Sequence, residues 1–291
     1  KKDIAADWGL EENVQVVNGT PDVQSAAVGS GAVKDFEGHL YIGTSSWLIC
    51  HVPFKKVDLA HGLASLPSAI PGRYFVANEQ ETAGACLNFL RDNILSHEDE
   101  LGMPSQGPDV YKLFDKIAAK VPAGSDKLIF TPWLFGERTP IDDHSIRAGF
   151  YNLSLQTNRE HLIRAVFEGV AYNSRWLFEY VEKFIKRPMD TITMVGGGAN
   201  SDIWCQIYAD VLNRTVKQVE HPIQTNLRGA AFLASLALGY IKIDDIAQRV
   251  QIKNTYQPNP QNREIYDELF REFVKIYRRN KKFFARINRS P

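Results

Sequence analysis

The chain has 291 residues, of which 44% are hydrophobic and 23% are charged. This is the composition of a folded protein with one large domain or two small ones, and it excludes a collagenous, low-complexity or disordered chain. Lys and Arg together number 34, as do Asp and Glu, so the formal charge is zero. Without a basic field to hold a polyanion, nucleic acid is not an expected partner.

The three cysteines, Cys50, Cys86 and Cys205, lie far apart in the chain. Their spacing is typical of neither a disulfide framework nor a zinc site, and no metal-ligating residues are predicted. The longest apolar stretches, such as residues 230–237, fall well short of the ~20 residues that span a bilayer. We therefore expect a reduced, cytoplasmic compartment and no membrane partner.

The first half of the chain alternates β-branched runs with turn signals. Asn18-Gly19-Thr20-Pro21 ends one such run and leads into a helix that starts near Asp22, and a Gly43-Thr44-Ser45 turn joins two runs into a hairpin. Apolar residues at i, i+3 and i+4 then predict a helix. The predicted strands are 14–17, 39–43, 47–50, 57–59 and 73–76, and the predicted helix is 83–94.

The second half alternates predicted strands and helices, which favours an α/β fold. Asn158 is placed to cap the longest helix, and a Gly-Glu-Arg-Thr-Pro loop at 136–140 precedes it. The basic residues that close the last helix complement its dipole and are expected to face water. Predicted helices cover 109–119, 158–185, 202–212, 227–238 and 262–287, and predicted strands cover 128–131, 191–195 and 216–219.

Three features could carry chemistry: the turn at 43–45, the glycines 196–198, and Asp22. Glycines let the backbone approach an anion, and Thr and Ser hydroxyls donate to phosphate oxygens, although each turn alone is more often structural. Asp22 could cap the helix that it begins, or it could accept a proton during phosphoryl transfer. Position alone does not separate these two roles.

Taken together, these segments resemble the FGGY family of carbohydrate kinases, particularly its xylulokinase-like members. The likeness covers the C-terminal half of such a kinase and the end of its N-terminal half. Because the first methionine is Met103, we also expect a fragment. The matching segments are Gly19 to Asp22 with Ala26 to Gly29, Ile42 to Ser45, Ala83 to Arg91, Phe135 to Pro140, Glu160 to Gly169, Gly196 to Ala199 and Gly229 to Ala231.

The resemblance implies an actin-like, ribonuclease H-like α/β fold with a mixed sheet flanked by helices, as one half of a two-lobed kinase that binds ATP, Mg²⁺ and a small sugar or polyol. Asp22 would be the catalytic base that deprotonates a hydroxyl of xylulose or a related ketose. The nucleotide-binding positions that the resemblance implies are Gly43, Thr44 and Ser45 for the phosphates, Gly84 and Asn88 for phosphates and ribose, and Gly197, Gly198 and Ser201 for adenosine.

The same resemblance implies residues 1–24 as the end of the N-terminal lobe and hinge, 25–241 as the nucleotide-binding lobe and 242–291 as a helical extension. Alone, the chain is expected to bind nucleotide weakly and to turn over nothing, and the family's assemblies allow a homodimer. Arg228 is expected to contact a neighbouring carboxylate rather than the nucleotide, and Glu137 and Arg138 are expected to form a bracing ion pair. The alternative function is an actin-like nucleotide sensor or scaffold without kinase activity.

Overall fold

A mixed β-sheet forms the centre of the computed structural model, which describes residues 1–95 and 110–288. Within these residues the strands are β1 (Gly38–Ile42), β2 (Ser46–Val52), β3 (Val57–Asp58), β4 (Leu63–Pro67), β5 (Tyr74–Ala77), β6 (Ile129–Thr131), β7 (Gly149–Tyr151), β8 (Thr191–Val195), β9 (Thr215–Val219) and β10 (Ile252–Tyr256). The predicted hairpin is confirmed, because Ile42 pairs with Ser46 across the 43–45 turn.

The helices cover the two faces of this sheet. In the described residues they are α1 (Lys2–Asp7), α2 (Asp22–Gly29), α3 (Gly84–Leu90), α4 (Val110–Ala118), α5 (Arg159–Ile185), α6 (Asp202–Leu212), α7 (Thr225–Ala237), α8 (Ile243–Arg249) and α9 (Arg263–Ile287). None of these helices is long and apolar enough to cross a lipid bilayer. The predicted start of α4 at Asp109 lies outside the described residues.

Eight strands form the main sheet in the order β10-β9-β8-β1-β2-β5-β4-β3. The central strands β1, β8 and β9 run parallel, and the outer pairs are antiparallel. Parallel strands need crossover connections that cover the sheet, and here α6 connects β8 to β9. The predicted α/β class with a mixed sheet is therefore what the chain adopts.

Side chains of β1 alternate between two hydrophobic layers. Leu40 and Ile42 point into the main core, which also holds buried residues of α3, α5, α6 and α9. Tyr41 points to the opposite face, where it packs beside Val195 and Phe232 of α7. Successive side chains of a strand point to opposite faces of the sheet, so β1 contacts one set of helices on each face.

The long helix α5 is fixed by its cap and by one buried carboxylate. The Asn158 side chain accepts hydrogen bonds from the amides of Glu160 and His161, as predicted from sequence. Further along α5, the fully buried Glu168 accepts from Arg164 Nε at 2.7 Å, and it also accepts from Gly124 N, Ser125 Oγ and Tyr266 Oη. This carboxylate ties α5 to α9 and to the loop before β6.

The predicted strand at 14–17 is wrong. These residues form no strand, and Val16 is 90% exposed. A β-branched run becomes a strand only where a neighbouring backbone satisfies its hydrogen bonds, and no strand of the described chain pairs with it. Conversely, β4, α8 and β10 were not predicted. β10 is nearly all exposed, so it lacks the apolar alternation that marks a half-buried strand.

The segment after residue 241 combines β10, which pairs with β9 at the edge of the main sheet, with helix α9. Tyr266 and Phe273 of α9 are fully buried in the main core. The division of the chain into three parts stays a prediction. The basic residues at the end of α9, including Lys275 and Arg278, are exposed, as the sequence predicts.

The prediction of an ion pair between Glu137 and Arg138 is wrong. Glu137 is fully buried and accepts from the amides of Glu81 and Arg138 and from Asn173 Nδ2. The Arg138 guanidinium instead bonds Glu79 and Glu81. Adjacent side chains point in different directions, so the acid enters the core while the cation stays at the surface. Burial raises the pKa of Glu137 to about 7.

Replacement of Glu137 should remove one contribution to the dependence of stability on pH. Because its pKa in the folded chain lies above the unfolded value of 4.5, the folded chain binds this proton more tightly. The resulting stability is complete below the unfolded pKa and is lost as pH rises through 7. Urea unfolding between pH 5 and 8 measures this as a difference: the free energy of unfolding of the unaltered protein, relative to that of Glu137→Gln, should fall by an amount on the order of 2 kcal/mol over this range. The difference isolates Glu137 from the buried His39, whose lowered pKa changes stability in the opposite direction.

Glu264→Gln, which changes an exposed carboxylate on α9, is the control for this measurement. Its stability curve should run parallel to that of the unaltered protein. Equal slopes for Glu137→Gln and the unaltered protein would show that this carboxyl does not titrate in the folded chain.

Candidate nucleotide-binding site

One cavity of about 600 Å³ opens where the parallel strands β1 and β8 end. The carboxyl ends of parallel strands are the usual ligand-binding edge of an α/β sheet. Seven of the eight predicted nucleotide-binding residues line it, although they come from three separate parts of the sequence. They are Gly43, Thr44, Gly84, Asn88, Gly197, Gly198 and Ser201.

The 43–45 turn is locked to the start of α3 by backbone hydrogen bonds. The carbonyl of Gly43 accepts from Gly84 N at 2.8 Å, and the carbonyl of Thr44 accepts from Ala83 N at 2.8 Å and from Ala85 N at 3.2 Å. A methyl group on Gly84 would lie 2.6 Å from the Gly43 oxygen, so only glycine permits this approach. These three amides are therefore already bonded and form no anion nest.

The glycines after β8 have two distinct structural roles. Gly196 has a φ of +86°, and a methyl group there would lie 2.6 Å from the carbonyl oxygen of Ile42. A methyl on Gly198 would lie 2.4 Å from the Ile42 side chain. At Gly197, in contrast, an added methyl meets nothing within 4 Å. Gly196 and Gly198 thus allow β8 to end against β1, while Gly197 leaves the cavity open.

Ser201 is the N-cap of α6 and contacts a carboxylate across the cavity wall. Its Oγ accepts from the amide of Trp204 at 3.1 Å and donates to Asp115 Oδ1 at 2.6 Å. The sequence did not single out Asp115, which lies on α4. This pair joins the two helices that close one end of the cavity.

The sequence also missed the rest of the α4 wall and the aromatic floor. Tyr111 Oη donates to Asn88 Oδ1 at 2.8 Å, which joins α4 to α3. Trp204 donates from Nε1 to the Phe167 carbonyl at 3.0 Å, and the two rings meet edge to face at 4.9 Å. Tyr111 and Asp115 are spaced i, i+4 on a predicted helix, which places them on one face, but nothing in the sequence showed what that face meets.

Asp22 and Ser45 are not among the cavity-lining residues. Asp22 is the exposed first residue of α2, and its Oδ1 accepts from the neighbouring Val23 amide at 2.8 Å. The N-cap position belongs to Pro21, so Asp22 does not cap the helix in the expected way. The next residue, Val23, packs against the same small cluster as Trp47 of β2, whose ring stacks on Tyr41 of β1 at 4.0 Å. The start of α2 thus lies near the hairpin that carries the 43–45 turn.

Helix α2, which begins with Asp22, packs directly on α7 through backbone atoms. A methyl on Gly29 would lie 2.0 Å from the Thr225 carbonyl oxygen, and one on Gly229 would lie 1.8 Å from the Ser25 carbonyl oxygen. No side chain fits at either position. The turn before α7 accepts a hydrogen bond from the glycines after β8, because Gly196 N donates to the Pro222 carbonyl at 3.0 Å. The helix of Asp22 is thereby connected to the glycines of the cavity.

The prediction that Arg228 contacts a neighbouring carboxylate is wrong. Arg228 Nε donates to the Gly29 carbonyl at 2.8 Å, and its other nitrogens donate to the Glu220 carbonyl and to Thr225 Oγ1. The last carbonyls of a helix lack partners within it, and a cation there also complements the helix dipole. Arg228 therefore caps the C-terminus of α2.

Within residues 1–95 and 110–288, no three His, Cys, Asp or Glu side chains converge as a metal site. The three cysteines are free and buried, and burial raises the pKa of Cys50 and of Cys86 to about 12. These thiols are core residues rather than nucleophiles.

The sequence profile of the FGGY family of carbohydrate kinases, C-terminal domain, matches residues 39–238. The chain belongs to this family. A xylulose kinase of Staphylococcus epidermidis is 30% identical over 288 residues, which covers 97% of this chain and 55% of that relative. A gluconokinase of Bacillus licheniformis is 28% identical and is matched over 53% of its length. The chain thus spans about half the length of these FGGY relatives.

Solved FGGY-type structures have the same fold. A ligand-bound xylulose kinase from Lactobacillus acidophilus superimposes with a TM-score of 0.85 at 26% identity, over 99% of this chain and 56% of that one. A gluconate kinase from the same organism gives the same TM-score and coverage. The family resemblance and the actin-like C-terminal fold predicted from the motifs are confirmed.

Gly229→Ala should destabilise the protein by at least about 2 kcal/mol, because the new methyl overlaps the Ser25 carbonyl and must push α7 away from α2. Urea unfolding monitored by circular dichroism measures this loss. Gly19→Ala is the matched control, since a methyl there meets nothing within 4 Å. Equal stability of the two variants would show that α2 and α7 are not in backbone contact.

Proposed function

We propose that this chain is the nucleotide-binding half of an ATP-dependent sugar kinase and that it supplies the catalytic base. The observation that carries the proposal is the convergence of predicted binding residues from three separate parts of the sequence on one cavity. Its volume of about 600 Å³ lies within the ~300–1,000 Å³ range of small-molecule sites.

The two ends of the cavity differ chemically, which supports one orientation of the nucleotide. Phe167 and Trp204 offer an apolar wall suited to a purine ring, next to the carboxylate of Asp115. Thr44, whose hydroxyl is a donor for phosphate oxygens, lines the cavity from the turn between β1 and β2, which is bonded to the start of α3. We therefore place the base and ribose toward α4 and the terminal phosphate toward Thr44 and Asp22.

Asp22 is suited to accept a proton at the phosphate end. In-line attack forms a bond between the sugar oxygen and the terminal phosphorus, breaks the bond to the leaving phosphate oxygen, and transfers the hydroxyl proton to the carboxylate. Asp22 is exposed, and its Oδ1 accepts a hydrogen bond from Val23 N. Positioning of the reactants accounts for most of the remaining acceleration.

Magnesium fits this site as a companion of the nucleotide. Mg²⁺ usually binds substrate phosphates and waters together with one or two carboxylates, so a dedicated cluster of protein ligands is not required. Asp22 is the carboxylate near the proposed phosphate end. The ion would neutralise charge on the phosphates when it is bound.

The proposed acceptor is a sugar hydroxyl, in the class of xylulose or a related ketose or polyol. The support is the set of similar proteins, which includes xylulose kinases, gluconokinases and an autoinducer-2 kinase of Enterobacter. D-xylulose, L-ribulose, gluconate, glycerol and inositol form a suitable panel.

Asp22→Asn should lower phosphoryl transfer by ~10²–10⁴-fold and leave ATP binding intact, because only the proton acceptor is removed. Transfer is measured as ATP consumption on the sugar panel by a protein that also contains the N-terminal half, and ATP binding by calorimetry. Transfer at the normal rate would reject Asp22 as the base. ATP binding without sugar-dependent transfer by the unaltered protein would favour a sensor or scaffold.

Gly197→Ala should weaken ATP binding at least ~10-fold without loss of stability, because its methyl group enters open cavity space that the nucleotide would occupy. Calorimetric titration with ATP and urea unfolding test the two halves of this prediction. Gly19→Ala adds a methyl in open space away from the cavity and should bind normally. Unchanged affinity in Gly197→Ala would place the nucleotide elsewhere.

A further inference from the structure

The Gly-Glu-Arg-Thr-Pro loop at 136–140 contributes none of the described residues that line the cavity. Four of its five residues are nevertheless buried, and only Arg138 is exposed. Glu137 is fully buried, and burial of a carboxylate is costly unless neighbouring groups donate hydrogen bonds to it. Any role of the loop in the site therefore acts through the residues that the loop contacts.

The loop contacts the segment that connects β5 to α3, residues 78–83, which we call the connector. Glu137 Oε1 accepts a hydrogen bond from Glu81 N at 3.0 Å. Thr139 Oγ1 donates to the Glu79 carbonyl at 2.6 Å. Both contacts are to main-chain groups of the connector, so the loop fixes the backbone along one edge of this segment.

The other edge of the connector holds the 43–45 turn. Gln80 lies between the two loop contacts and exchanges two backbone hydrogen bonds, of 2.8 and 3.1 Å, with Ser46, which directly follows the turn. Ala83 N then donates to the Thr44 carbonyl at 2.8 Å. In an extended segment the main-chain groups of successive residues point to opposite edges, so the connector bonds the loop on one side and the turn on the other.

We propose that this loop positions the phosphate-binding turn from behind, with Glu137 as the positioning residue. The inference rests on the proposed function, because that function places the terminal phosphates at the 43–45 turn. A turn that is held in place before the nucleotide arrives need not be ordered on binding. Loss of its support should therefore weaken contacts to the terminal phosphates and spare those to the base and ribose.

Two substitutions in the loop separate it from the connector. One oxygen of the Glu137 carboxylate accepts from Glu81 N and the other from Asn173 Nδ2. A glutamine of the same shape has a single acceptor oxygen, so Glu137→Gln turns one of these bonds into a contact between two donors. Thr139→Val replaces the hydroxyl that bonds the Glu79 carbonyl with a methyl group.

The test compares ATP with AMP, each with magnesium, by calorimetric titration of the unaltered chain and the variants at pH 8. Glu137→Gln should lose about tenfold in affinity for ATP and less than about twofold for AMP, which lacks the terminal phosphates. Thr139→Val should reduce the preference for ATP over AMP at least about threefold, as expected for one hydrogen bond. Circular dichroism checks that each variant folds, and Thr139→Val decides the test where Glu137→Gln does not fold.

Asp210→Asn is the matched control, because Asp210 is also a buried carboxylate that accepts from three uncharged donors. The donors are Asn259 N and the side-chain amides of Gln206 and Asn262, so this carboxylate joins α6 to the segment before α9. The variant should lose stability and keep the preference for ATP over AMP.

Equal losses for ATP and AMP in Glu137→Gln would overturn the inference and leave the proposed function standing. Unchanged affinity for ATP in both loop variants would do the same, because the connector would then be held without the loop. A reduced ATP preference in Asp210→Asn would assign the effect to general loosening of the fold and also overturn the inference. No ATP binding by the unaltered chain would overturn both the inference and the proposed function.

Discussion

The position of Asp22 depends on a backbone contact at the far end of its helix. Gly29 and Gly229 bring α2 and α7 so close that a methyl on either would lie about 2 Å from a carbonyl oxygen. Arg228 then bonds the last carbonyl of α2. Exposed as it is, Asp22 has few contacts of its own to hold it, so the helix must be fixed elsewhere. The contact between α2 and α7 provides this fixed point.

The same principle forms the cavity. Gly84 permits α3 to start against the 43–45 turn, and Gly196 permits β8 to end against Ile42 of β1. Each close approach requires a missing side chain on one partner, so the glycines are spread over residues that are distant in sequence. Backbone contacts of this kind are rigid, because they contain no rotamers that could rearrange. A nucleotide therefore meets walls that are formed before it binds.

Short-range chemistry made part of this site predictable. Glycine turns, the Asn158 cap and the hairpin are determined by a few adjacent residues, and the structure has each of them where the sequence placed it. The failures concern partners that are distant in sequence. Residues 14–17 had the composition of a strand but no neighbour, and Arg228 had the charge for a carboxylate but found helix carbonyls. Local sequence shows what a side chain can do, whereas packing decides what it meets.

The charge distribution of the cavity suits a nucleotide held at both ends. Asp115 lines the wall proposed for the base and ribose, and the start of α2 lies near the hairpin whose turn is proposed for the phosphates. With zero net charge on the chain, long-range attraction contributes little to binding, so affinity must come from contacts inside the cavity. The magnesium that accompanies ATP would neutralise part of the phosphate charge. The α4 wall carries both Asp115 and Lys112, so its charges are mixed, whereas the 43–45 turn offers the Thr44 hydroxyl as a donor. The orientation of the nucleotide therefore depends on hydrogen bonds at fixed positions rather than on the net charge of either wall.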